Sequence, residues 1–166
     1  MINKSFINLI PIFSIFIFIM INSTIIPIQG YSFINPSISI VCFIYWCLRS
    51  EEYQFNLLQV FLLGVLNDFL LGTPLGSSSL LFLLTNIFLF KIKARLKFKT
   101  FISEIIIISL SIIFYFFISY IFIIIYFKVY SNLNYYIMSF FLTIAIYPII
   151  NIIFNRLVSY ITKEDA

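Results

Sequence analysis

The sequence predicts an all-α integral membrane protein, a single bundle of six transmembrane helices with both termini in the cytoplasm. Three observations carry that prediction. Of 166 residues, 63% are hydrophobic and only 10% charged, too little polar surface for a domain that faces water. Apolar runs of about 18 residues or more, the length needed to cross hydrocarbon, recur along a chain whose length suits one domain. With six spans, Lys4, Arg49, Lys91, Lys93, Arg95, Lys97, Lys99, Arg156 and Lys163 fall on the cytoplasmic side and only Lys128 outside. That asymmetry favours six spans over five or seven. It also accounts for the net charge of +4 without a nucleic-acid partner.

The expected spans are 9–26, 34–48, 55–71, 77–90, 101–127 and 135–154, the second and fourth short. The first follows a basic N-terminus, as in a signal peptide, but it is too long for an h-region and no A-x-A-like site follows. It reads as an uncleaved span, with Pro11 in its opening turns where proline is tolerated. Asn35-Pro36 is expected to start the second helix, asparagine as cap and proline at the first helical position. Tyr45-Trp46 at its other end suit the headgroup belt. This helix rises roughly 22 Å from Ile34 to Leu48, short of a hydrocarbon core of about 30 Å. It must thin the bilayer or pack against longer neighbours.

The most informative stretch runs from Gly64 to Gly76. It holds three of the four glycines and an aspartate, Asp68, between two apolar runs. A carboxylate inside a membrane run is a functional hypothesis by default. The predicted topology puts Asp68 within about a turn of the outer end of the third span. There it is expected either to cap the 72–76 turn, accepting hydrogen bonds from around Ser77 to Ser79, or to contact a partner or couple to an ion. Polar stripes on other spans (Asn56, Gln59 and Asn67; Ser78 with Thr85 and Ser79 with Asn86; Tyr147, Asn151 and Asn155) are expected to face protein, as helix packing in membranes favours.

Several chemistries are excluded. The chain has no histidine, so histidine-based catalysis and histidine-containing zinc sites are ruled out. Glu104, the other acid near a span, lies toward the opposite face from Asp68, so no acid/base pair forms. Cys42 and Cys47 sit too far apart on one helix to bridge and read as small buried hydrophobes. No catalytic residue, metal site or cofactor is expected. The basic segment Lys91, Lys93, Arg95, Lys97 and Lys99 sets topology and rests on anionic lipid.

In length, span order and the residues Pro36, Trp46, Gly64, Asp68, Gly72, Pro74, Leu75 and Gly76, the chain resembles the MreD family of rod shape-determining membrane proteins. Asn67 departs from the pattern, which has an apolar residue before the aspartate. The resemblance implies a non-enzymatic bacterial inner-membrane scaffold. Its implied partners are an MreC-like bitopic protein, an MreB-like filament, a RodA-like protein and a class B penicillin-binding protein, all in lateral-wall peptidoglycan synthesis. It makes Gly64, Asp68, Gly72, Pro74, Gly76, Pro36 and Trp46 a partner-binding or structural motif. The alternative is the substrate-binding membrane subunit of an energy-coupling-factor-type vitamin importer, also a six-span protein. Such subunits typically carry small residues along the first span, and here residues 9–26 are mostly Ile, Phe and Met.

Overall fold

The computed structural model describes residues 9–24, 36–49, 55–95, 101–127 and 133–163. Among these there are six helices and no strand: α1 (Leu9–Thr24), α2 (Ile38–Leu48), α3 (Leu57–Leu71), α4 (Ser77–Arg95), α5 (Phe101–Phe127) and α6 (Leu133–Lys163). α5 and α6 each carry a 24-residue apolar stretch, long enough to cross a bilayer. The bundle is apolar outside, and its largely apolar interior also encloses polar side chains. Phe13, Leu58, Phe69, Phe90, Phe117 and Ile125 are exposed, while Asp68, Ser111, Thr143 and Asn151 are buried. That distribution suits a hydrocarbon solvent, in which buried polar groups help hold helices together.

The shortest helix sits at the centre. Every residue of α2 from Ser39 to Cys47 is buried, and the helix packs against α1, α4, α5 and α6. A helix that is apolar all round belongs inside a bundle, so its length of 11 residues makes no demand on the lipid. Of the two outcomes open for this helix, packing against longer neighbours is the one realised. The Phe43 ring stacks on Phe82 of α4, with centroids 5.2 Å apart.

Its position corrects the expectation for Trp46. This side chain is fully buried, not in a headgroup belt. Its indole N–H donates to Ser14 Oγ at 2.7 Å, and its ring packs on Phe154 at 5.5 Å. An indole enclosed by protein finds its partner there and has no need of the interface.

Helix ends also differ from expectation. α2 begins at Ile38 with Ser37 at the cap, so Pro36 precedes the helix by two residues and is not its first helical position. The Pro36 carbonyl accepts from Ile38 N–H at 3.0 Å. Ser37 N–H is drawn to Thr143 Oγ1 of α6 at 3.2 Å, and this tertiary bond fixes the turn. Asn35 lies outside the described residues. α4 continues past Phe90 through Lys91, Lys93 and Arg95, so this part of the basic segment is helix and not loop. Lys and Arg are good helix formers and favour a helix C-terminus. Lys97 and Lys99 lie outside the described residues, as do Lys4 and Lys128. α6 runs on to Lys163 and keeps Pro148 inside it, one donor short in its ladder.

Two members of the expected stripe on α3 are used elsewhere. Asn56 caps the helix and its N–H donates to Gln59 Oε1 at 3.0 Å, a capping box. Only Asn67 of that set is buried inside the bundle.

Candidate functional site

Among the described helices, α3 and α4 pack together most extensively, and the corner between them is built from short-range chemistry. α3 ends because Gly72 takes the left-handed conformation, φ 67° and ψ 24°, and sends its N–H to the Asp68 carbonyl. Thr73 N–H donates to the same carbonyl at 3.1 Å. This is the usual glycine stop, which an L side chain resists. Gly72→Ala is therefore expected to cost about 1 kcal/mol and Gly72→Asn less, because asparagine tolerates this region. Thermal unfolding of the purified protein in detergent measures both.

α4 begins at Ser77, five residues after Gly72. The Pro74 carbonyl accepts from Ser77 N–H at 3.0 Å, and the Gly76 carbonyl accepts the first helical bond from Leu80 N–H at 2.9 Å. Gly76, at φ 97°, therefore occupies the cap position but has no side chain with which to cap. Asp68 supplies one from the preceding helix. Its Oδ2 accepts from Gly76 N–H at 2.8 Å. Its Oδ1 accepts from Ser78 N–H at 2.9 Å, Ser77 Oγ at 2.7 Å and Thr73 Oγ1 at 2.7 Å. One residue thus closes α3 with its carbonyl and opens α4 with its carboxylate. The negative charge sits at the positive end of the α4 dipole. Asp68 is fully buried, and four donors replace the water it gives up.

The three serines that start α4 each tie to a different residue of α3. Ser77 reaches Asp68, Ser78 Oγ accepts from Asn67 Nδ2 at 2.8 Å, and Ser79 Oγ donates to the Phe61 carbonyl at 3.0 Å. The last contact is possible because Gly64 lies directly against the Ser79 backbone, where a Cβ would collide with Ser79 Cα and N. Asn67 is buried and faces α4 through this bond, so it costs no lipid exposure.

The structure thus brings Gly64, Asp68, Gly72, Pro74 and Gly76 into one corner. Pro36 and Trp46 are engaged elsewhere, at the start of α2 and against α1 and α6. Lys91 and Lys93 lie on α4 beyond its apolar stretch, Lys91 exposed. Sequence reasoning missed Thr73, whose signal is a hydroxyl five residues after an acid in a turn. It also missed a second polar cluster at the other end of α2. There Asn155 Oδ1 accepts from Tyr45 Oη at 2.9 Å and from Arg49 Nη2 at 2.6 Å. Asn155 Nδ2 donates to Asn151 Oδ1 at 3.1 Å, and the Arg49 guanidinium stands over the Tyr45 ring, 5.0 Å from its centroid.

Cys42 and Cys47 are buried free thiols, as expected of small hydrophobes. Glu104 occupies the first turn of α5, where an acid suits the helix dipole. Among the described residues, no group of three or more acids and cysteines gathers to hold a metal ion.

Comparison with known proteins gives one result. No curated protein and no solved structure matches the chain, and nothing found supports the vitamin-importer reading. The family model described as rod shape-determining protein MreD matches residues 3–157, nearly the whole chain. The chain belongs to the MreD family of rod shape-determining membrane proteins.

Proposed function

We propose that this protein is a non-enzymatic, multi-pass scaffold of the bacterial inner membrane, acting in the rod-shape machinery that builds lateral-wall peptidoglycan. In this reading the six helices are six spans with both termini in the cytoplasm. The active surface is lateral and is shaped by the α3–α4 corner with Gly64, Asp68, Gly72, Pro74 and Gly76. Pro36 and Trp46 position the central helix α2 behind it. The basic segment from Lys91 to Lys99 fixes orientation and rests on anionic lipid. The partners are an MreC-like bitopic protein and, in the same complex, an MreB-like filament, a RodA-like protein and a class B penicillin-binding protein. Membrane lipids are the remaining contact, and no nucleic acid or cofactor takes part.

One observation carries the non-enzymatic part of this reading. Asp68, the acid at the heart of the family-like segment, has both oxygens engaged by four donors. A general base needs an oxygen free to accept a proton from substrate, and Asp68 is committed to joining two helices. The orientation rests on the positive-inside asymmetry.

Cell shape tests the function. In cells relying on the variant chain at wild-type membrane levels, Asp68→Ala and Gly76→Leu are expected to turn rods into round cells. Gly76→Leu places a branched side chain at φ 97° and distorts the corner without touching any charge. Normal rods from both variants would contradict the assignment of the corner to the shape-determining role.

A further inference from the structure

The two arms of the α3–α4 hairpin give nearly the same length independently. α3 has 15 residues and rises roughly 22 Å at about 1.5 Å per residue. The stretch of α4 from Ser77 to Phe90, before the first cation, rises roughly 21 Å on the same measure. Exposed polar groups mark the limits, Asn56 and Thr73 for α3 and Lys91 for α4. A hydrocarbon core is about 30 Å thick, and tilting a helix only shortens its span. Snorkelling by Lys91 recovers a few Å at one end and does not close the gap.

The corner itself is dressed for lipid. Phe69 is 76% exposed, Leu75 74% and Leu71 41%, a patch that water would penalise. The one charge there, Asp68, is sealed from its surroundings by its four donors. The 24-residue apolar stretches of α5 and α6, neither of which packs against α3, rise roughly 36 Å and match an ordinary bilayer by tilting. The short α2 is enclosed by protein, so the mismatch with lipid falls on the side of the α3–α4 hairpin, together with the 16-residue α1 that packs against α3.

We propose that the α3–α4 hairpin is a short hydrophobic face that holds the bilayer locally thin and selects shorter-chain lipid, while the α5–α6 face sits in bilayer of ordinary thickness. This rests on the six-span reading above, in which α3 crosses from the inner to the outer surface. Thinned bilayer costs free energy that is relieved when two such faces meet. The hairpin is therefore also the face at which a membrane partner of similarly short span gains most.

The test uses the full chain reconstituted in mixtures of dimyristoleoyl- and dierucoyl-phosphatidylcholine, one or the other brominated at its double bonds. Both native cysteines are buried, so a fluorophore attaches selectively at Leu75→Cys or, as a second probe of the same face, at Leu80→Cys. Phe117→Cys, on the exposed side of α5, is the control. At equal mole fraction the short lipid is expected to quench the Leu75 and Leu80 probes about twofold more than the long lipid, with no such preference at Phe117. A reporter fused after Lys99 reads the topology in parallel. A cytoplasmic reporter together with equal quenching by both lipids at Leu75 and Leu80 overturns the thinning and leaves the six-span reading intact. A reporter on the outer side overturns both.

Discussion

Replacing Asp68 with alanine is expected to destabilise the protein by about 3 kcal/mol, the largest effect of any single substitution at the corner. The reason is the asymmetry between making a hydrogen bond and abandoning one. Four donors converge on the carboxylate, and two of them are the backbone N–H groups of Gly76 and Ser78. Ser77 and Ser78 are buried, so water does not readily replace the lost acceptor, and each stranded donor costs about 1–3 kcal/mol. The N-terminus of α4 also loses the charge that complements its dipole. Asp68→Asn separates these contributions. Its amide oxygen can serve the three donors that now meet Oδ1, but its NH2 group then faces Gly76 N–H, donor against donor. Asn is therefore expected to keep part of the stability and Ala almost none. Thermal unfolding in one detergent ranks the three proteins, and equal midpoints for all of them would contradict the account.

Gly64→Ala is expected to destabilise, and here the sign carries the information. In an ordinary helix interior, Gly to Ala stabilises by about 1 kcal/mol through propensity. At position 64 the added Cβ meets the backbone of Ser79, not the movable end of a side chain, so α3 and α4 must part. Overpacking of this kind costs about 1–3 kcal/mol. Parting also strains the Ser79 bond to the Phe61 carbonyl and the Asn67 bond to Ser78. Gly64→Val enlarges the effect by adding two methyl groups to the same contact. Loss of stability in the order Gly, Ala, Val is the expected result. A stabilised Gly64→Ala protein would show that the helices have room at this contact.

The corner was largely legible in the sequence because its chemistry is local. An acid, two glycines, a proline and three serines within eleven positions of one another constrain a turn whatever surrounds them. Cap donors around Ser77 to Ser79 could be named from the spacing. The rest depends on tertiary choice. In α2 apolar residues cover every face, so the pattern cannot say that this helix is central, and Trp46 reads as an interfacial residue until its neighbours are known. The Arg49–Asn155 contact joins residues 106 apart in the chain, beyond any local pattern. Asn56 and Gln59 share a face with Asn67 by helical periodicity, yet the helix end claims them first. A side chain that satisfies an orphan donor at a terminus is no longer available to the bundle.

Lys91 to Arg95 illustrate a different limit. A run of cations marks the membrane boundary well but does not mark where a helix stops, because lysine and arginine favour both. Read as a boundary of the hydrocarbon, the run is informative. Read as a loop, it misplaces the end of α4.

We propose that the Asp68 corner sets the surface through which this MreD-family chain engages its complex. The most direct test is recovery of the MreC-like bitopic protein with the purified chain, across Gly72→Ala, Gly64→Ala, Gly76→Leu and Asp68→Ala at matched membrane levels. Recovery is predicted to fall as unfolding midpoints fall across the series, least for Gly72→Ala and most for Asp68→Ala. Undiminished recovery with Asp68→Ala would contradict the claim.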